Sequence, residues 1–223
     1  MISLTYAPIK EFFELGYWRY VKFFEKKLTN HHYEYFFTEY FSLPKSFYQD
    51  KQVLDIGCGP RGSLEWANMT KERIGLDPLT DKYIKMGANN HQMEYVKAYV
   101  ENIPFSDNYF DVITSFNSID HVESLVESCN EIKRVLKPGG IFLLIVDIHS
   151  YPTFTEPQML EWSFIKDYFS EFEMLEEKHL EVVHKNRIYE NLRTNKIMKQ
   201  QKSNGVLTAM IKKPLLTQIL PID

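Results

Sequence analysis

Three glycines, Gly57, Gly59 and Gly62, stand in VLDIGCGPRGSLEW directly after a short apolar run and before a stretch that reads as a helix start. Such a turn lets a ligand approach backbone N–H groups closely, and a helix N-terminus behind it adds partial positive charge. The spacing points to a nucleotide-like ligand. Asp77 ends the next apolar run, where an acid can accept hydrogen bonds from two ribose hydroxyls. A second set of residues could move protons. Asp120 and His121 lie in SFNSIDHV, and Asp147 and His149 in VDIHSYPTFTEP, each at the end of an apolar run. Imidazole titrates near neutrality, and an adjacent carboxylate can orient it or raise its basicity. His121 is the first candidate base and Asp120 its partner; His149 and Asp147 form a second pair at the same edge. No metal-ligand spacing motif accompanies these histidines, so no metal is expected.

The elements that must hold these residues alternate apolar runs with helical segments from Lys51 to about Asp147, the pattern of a parallel sheet wrapped by helices. The strand candidates are QVLDIG, RIGLD, MEYVKAYV, FDVITSF and GIFLLIVD. ESLVESCNEIKRVL reads as a helix stopped by Lys137-Pro138-Gly139-Gly140. Beyond Ser150, MLEWSFIKDYF reads as a helix, and FEMLEEKHLEVV and NGVLTAMIKK as strands with a polar connection between them. At the other end, Phe13, Tyr17, Tyr20, Phe24 and Leu28 recur at helical spacing. Most of this stripe is expected to be core between the N-terminal helices and the sheet. HHYEYFFTEYF follows as a second aromatic helix, closed by Leu43-Pro44. Residues 1–45 are assigned to a helical lid and 46–223 to the main domain, with its ligand half in 50–150 and the acceptor side and last strands in 151–223.

With 223 residues, 44% apolar and 25% charged, the chain suits one well-packed domain. It has no basic start followed by an apolar run, and Ile141 to Val146, its longest apolar run, is far too short to cross a bilayer. Two cysteines, Cys58 and Cys129, suggest no disulfide framework, and a cytoplasmic location is expected. The net charge of −4 argues against nucleic acid as a partner. Eight basic residues against one acid, Glu190, from Lys185 to Lys213 read as a solvated face.

The glycine spacing alone is shared with dinucleotide-binding proteins. Asp55 within VLDIGCGPRG, the acid in IGLDP, the segment ENIPFSDNYFDVI and RVLKPGG separate the two. In these four signatures, taken in order, residues 50–150 resemble the class I S-adenosylmethionine-dependent methyltransferases, specifically the type 11 group that includes the ubiquinone-biosynthesis enzymes. The resemblance implies a Rossmann-like α/β fold with a mostly parallel seven-stranded sheet. It implies S-adenosylmethionine as cofactor and S-adenosylhomocysteine as product. Asp55, Gly57, Cys58 and Gly59, with Gly62 completing the turn, would hold the methionyl part. Asp77 would hold the ribose, and Pro78 and Leu79 would lie against adenine. Val100, Glu101 and Asn102 would add adenine contacts, and the Asn117 carbonyl would meet the cofactor's amino group. Many relatives carry aspartate where this chain has Tyr99, which shifts the expected partner of the adenine amine to Glu101.

Methyl transfer from a sulfonium is an in-line displacement that chiefly requires alignment, and a hydroxyl acceptor benefits from a base. The expected reaction is therefore transfer to a small molecule or glycan, at oxygen, with no membrane span and an unassigned oligomeric state. Transfer to the nitrogen of an amino-sugar or small amine is the alternative. A silent cofactor-binding subunit and a nicotinamide-dependent oxidoreductase are the readings from other classes. Amino-methylation of adenine in nucleic acid is set aside because Asn117-Ser118-Ile119-Asp120 lacks the Pro-Pro-aromatic sequence.

Overall fold

The computed structural model describes residues 6–26, 28–152, 156–185 and 187–215. Its strands are β1 (Gln52–Ile56), β2 (Glu72–Leu76), β3 (Glu94–Val96), β4 (Phe110–Phe116), β5 (Leu136–Ile148), β6 (Glu173–Leu180) and β7 (Gly205–Lys212). They form one sheet in the order β3-β2-β1-β4-β5-β7-β6. The first five pair in parallel, and β7 runs antiparallel between β5 and β6. Because side chains alternate along a strand, each strand feeds two cores. Leu54, Ile56, Ile113, Phe142 and Leu144 meet Cys129, Ile132, Val135 and Phe164 on one face. Val53, Val112, Phe116, Leu143 and Ile145 meet Phe36, Phe37, Phe41 and Tyr48 on the other.

Six helices surround the sheet: α1 (Tyr6–Glu25), α2 (Tyr33–Phe37), α3 (Thr80–Lys85), α4 (Leu125–Val135), α5 (Phe164–Tyr168) and α6 (Ile188–Thr194). Ser124 caps α4, its hydroxyl accepting from the Glu127 N–H at 3.3 Å. The helix expected after the glycine turn is replaced by turns between β1 and β2. Its early carbonyls are engaged elsewhere: Asn30 Nδ2 donates to Gly62 O at 3.4 Å and Arg73 Nη1 to Glu65 O at 2.9 Å. The segment Lys137–Gly140 stops α4 as expected but continues as strand, with Gly139 at φ +77° and its N–H donating to Lys213 O at 2.8 Å. The polar connection before β7 contains α6, which periodicity did not reveal, and the helix expected over MLEWSFIKDYF is reduced to the five residues of α5.

The aromatic stripe of α1 is the clearest reversal. Phe13, Tyr17, Tyr20 and Phe24 are 55–64% exposed, and only Leu28 is buried. The helix is held by its other face through polar anchors. Tyr83 Oη donates to Glu14 Oε1 and Lys22 Nζ to Met86 O, at 2.8 and 2.7 Å, while Glu25 pairs with Arg61 at 2.7 Å. On the same face Leu15 and Trp18 pack against the buried Leu79, Tyr83 and Ala88, so these anchors and this small apolar contact together set which face is inward. The aromatics of α2 behave as expected, Phe36 and Phe37 being fully buried in the second core.

Candidate active site

β1 sends its chain to β2 on one side, while β4 pairs on the other, so the carboxyl ends of β1 and β4 flank the point where strand order reverses. Open α/β sheets bind ligands at such a point. Gly57 leaves β1 with φ +67°, and a Cβ there would lie 2.3 Å from the Ser118 Cβ. Ser118 is fixed in that place because its hydroxyl donates to Ile56 O at 2.7 Å. Gly59, at φ +57°, donates its N–H to Asp77 Oδ2 at 3.2 Å, and its missing Cβ would meet Trp18 of α1 at 3.3 Å. Asp77 Oδ1 accepts from the Leu79 N–H at 2.9 Å. Burial, with the Glu14 charge second, pushes the Asp77 carboxyl up to about 7.

These groups border a cavity of about 840 Å³, within the size range of sites for small ligands. Gly57, Cys58, Gly59, Asp77, Pro78, Leu79, Val100, Glu101, Asn117 and His121 all line it. Asn117 takes a left-handed conformation, φ 55°, and its Oδ1 is buried with no hydrogen-bond partner among the described residues. Glu101 Oε1 accepts from the N–H groups of Glu123 and Ser124, at 2.7 and 3.2 Å, which ties the cavity wall to the start of α4. His121 ends a short 3-10 turn after β4; its Nε2 lies 3.8 Å from Oδ1 of the fully buried Asp120.

Other expected residues stand outside the lining. Asp55 is buried behind the turn, where Ser63 and Thr114 hydroxyls donate to it, the latter at 2.6 Å. Burial pushes its carboxyl up to about 6, opposed by these two bonds. Asp55 therefore fastens the turn to β4 rather than facing the cavity. Gly62, at φ +73°, packs against His91, where a Cβ would clash at 2.5 Å. Asn102 is exposed. Asp120 and His149 lie behind the cavity wall, next to residues that line it. The Cys58 sulfur packs where Gly75 has no side chain, and burial raises its thiol well above the ordinary value, so it is no nucleophile.

Residues 54–144 match the family model described as a methyltransferase domain. Over that segment the chain is similar to methyltransferase domains. Over 100 residues it is 36% identical to the sterol 24-C-methyltransferase ERG6A of Gibberella zeae, covering 41% of this chain and 26% of that protein. It is 37% identical over 89 residues to the ubiquinone/menaquinone biosynthesis C-methyltransferase UbiE of Stutzerimonas stutzeri, covering 39% and 33%. The matched segment thus spans only about a quarter to a third of these relatives. The YcgJ protein of Bacillus subtilis, 16% identical, superposes with a TM-score of 0.58 over 79% of this chain and 98% of its own, a likeness in fold that agrees with the expected Rossmann-like sheet.

Sequence reasoning missed two walls of this domain's cavity. Glu11, Glu14 and Trp18 come from α1, and Arg187 and Tyr189 from the entry to α6. The first three share the helical spacing opposite the aromatic stripe, a signal that was available but weaker. The basic run disperses: Lys196 and Lys202 pair with Glu181, Arg193 lies over Tyr35 and Phe36, and Lys213 Nζ donates to the carbonyls of Lys133 and Leu136. Among the described residues, no helix is long and apolar enough to cross a membrane.

Proposed function

We propose that the chain is an S-adenosylmethionine-dependent methyltransferase that methylates a hydroxyl oxygen of a small molecule or glycan. One observation carries the reading. A single cavity joins the buried carboxylate of Asp77, the side-chain-free backbone of Gly57 and Gly59, the unpaired Oδ1 of Asn117 and the imidazole of His121. The donor set suits the cofactor. A carboxylate can accept from a ribose diol and Asn117 can accept from an ammonium, while the turn has no room for a Cβ at Gly57 or Gly59, which would meet Ser118 and Trp18. The cofactor supplies a methyl group already activated on sulfur. The protein's part is to bind and align, to exclude water, and, through His121, to take the proton from the acceptor hydroxyl. Glu11, Glu14, Glu123 and Glu190 also line the cavity, and these acids would attract an amine, whose nitrogen accepts the methyl group once its proton has left. Transfer to nitrogen is the second reading on that ground.

Calorimetric titration with S-adenosylmethionine and, separately, with a nicotinamide dinucleotide tests the cofactor assignment; binding of the dinucleotide alone would overturn it. A methyl-transfer screen over sugars, phenols and amines then separates oxygen from nitrogen. Asp77→Asn is expected to weaken cofactor binding by about 2 kcal/mol, because hydrogen bonds to a charged group contribute about 1.5–3. Only the ionised carboxylate accepts from both ribose hydroxyls. Affinity should therefore rise as pH increases through about 7, and this component should be absent from the variant. A pH-dependence identical in both proteins would remove Asp77 from the ribose.

We assign α1 the role of a lid over the acceptor side. Deleting residues 1–25 is expected to leave a cooperative unfolding transition, since both cores lie outside α1. Turnover should fall by up to about a hundredfold through lost alignment, with a smaller loss of cofactor affinity. Steady-state kinetics beside calorimetry would show this split, and an equal loss of both would make α1 part of the cofactor site instead.

A further inference from the structure

Behind the cavity wall, the turn after β4 and the segment after β5 bring Asp120, His149 and Glu156 together. One carboxylate oxygen from each acid and one imidazole nitrogen all lie within 4.8 Å of one another. We propose that these three residues bind a divalent transition-metal ion, the metal linking the end of β4 to the segment that follows β5. Donor atoms about 2.0–2.2 Å from a metal stand roughly 3–4.4 Å apart from one another, so the cluster needs little contraction to close on an ion.

The orientation of His149 is the independent support. Its Nδ1 lies 2.6 Å from Tyr151 O, and a carbonyl can only accept, so Nδ1 carries the proton. In the neutral ring Nε2 then presents a lone pair. That atom is buried, has no hydrogen-bond partner among the described residues, and stands 3.7 Å from Glu156 Oε2, beyond hydrogen-bond range. With both nitrogens protonated the ring would pair with Glu156; with Nδ1 alone protonated, Nε2 offers its lone pair to a metal beside the two carboxylates. Metal-bound histidines characteristically donate their other N–H to a carbonyl in this way. The two segments are also pinned together. Gln158 donates its N–H to Asp120 O at 3.3 Å, and its Nε2 donates to the carbonyls of Val122 and Glu123 at 3.1 and 2.9 Å. One imidazole with two carboxylates suits Zn²⁺ or Mn²⁺, whereas Mg²⁺ and Ca²⁺ favour oxygen ligands. The sequence placed Asp120 and His149 at one sheet edge but did not single out Glu156, because the three share no metal-ligand spacing motif.

The proposal goes beyond methyl transfer and is read without donor or acceptor, so either can fail alone. Chelator-treated protein is titrated with Zn²⁺ and Mn²⁺, with Mg²⁺ and Ca²⁺ as parallel arms, by calorimetry. One transition-metal ion per chain is expected. His149→Ala and Glu156→Gln should each weaken binding about a hundredfold or more, since even outer-shell changes cost roughly 10–100-fold. His31→Ala, at the exposed His31 and its neighbour His32, should change nothing. Electron spin echo of the Mn²⁺-loaded native protein should show a coupled imidazole nitrogen, a readout that needs no variant to fold. Absence of stoichiometric transition-metal binding, binding that survives both ligand variants, loss on His31→Ala, or Mn²⁺ without a coupled nitrogen would each overturn the site.

Discussion

Replacing His121 with alanine is expected to lower turnover roughly a hundredfold or more while cofactor affinity stays nearly unchanged, because general-base contributions run at about 10² to 10⁴. The ring lines the cavity on a turn held from its own backbone, the His121 N–H donating to Ser118 O at 3.1 Å, so truncation leaves the turn in place. Asp120, fully buried behind it, places its Oδ1 3.8 Å from Nε2, where a carboxylate can orient the ring. Two readouts separate this from a packing role. Added imidazole should restore part of the lost rate, and the loss should shrink for acceptors with more acidic hydroxyls, which need less help to ionise. Steady-state kinetics with a sugar and a phenol would measure both. A variant that keeps its rate and gains nothing from imidazole would make His121 a packing residue of the cavity wall.

Gly57→Val is expected to be the most damaging single substitution in the cavity. A Cβ at this position would lie 2.3 Å from the Ser118 Cβ, and Ser118 cannot retreat without breaking its bonds to Ile56 O and Ser115 Oγ, at 2.7 and 2.8 Å. The left-handed φ of +67° adds its own penalty, about 1–2 kcal/mol for a residue with a Cβ. Overpacking contributes about 1–3 more. A stability loss of about 2–5 kcal/mol in denaturant unfolding and loss of measurable cofactor binding should follow together. Gly57→Ala, with the smaller side chain, keeps the test open should valine prevent folding, and it should weaken binding in the same direction. An alanine variant of native stability and affinity would mean that the turn is not the cofactor's cradle.

How far the site could be read in advance depended on whether its parts were local. The glycine turn, Asp77-Pro78-Leu79, Val100-Glu101, Asn117 and His121 are each short segments at the end of a strand or in the turn after it. Strands are legible from apolar alternation, and a parallel sheet brings their carboxyl ends to one edge. Asp55 looked like a ligand contact because it belongs to the same motif, yet its side chain points away from the cavity and is taken by Ser63 and Thr114. Which side of a strand a polar residue serves is settled by its buried partners. Motif membership alone does not carry that information.

The helix absent after the glycine turn failed for a related reason. Local propensity favoured it, but Asn30 and Arg73 take the carbonyls of Gly62 and Glu65. The inverted α1 follows the same logic on a larger scale. Its aromatic periodicity marked it correctly as amphipathic. The face it turns inward was decided by Glu14, Lys22 and Glu25 finding Tyr83, Met86 and Arg61, partners up to 69 residues away in sequence, together with the apolar contact of Leu15 and Trp18.

By itself, then, the sequence determined the parallel sheet, the turn at its switch point and the acids and imidazole at its edge, because these follow from side-chain period and from what glycine alone permits. The tertiary structure decided which face of α1 closes the cavity, that Arg187 and Tyr189 reach it, and that Asp120, His149 and Glu156 converge. Those choices rest on contacts between distant segments, where burial and specific hydrogen bonds outweigh local preference.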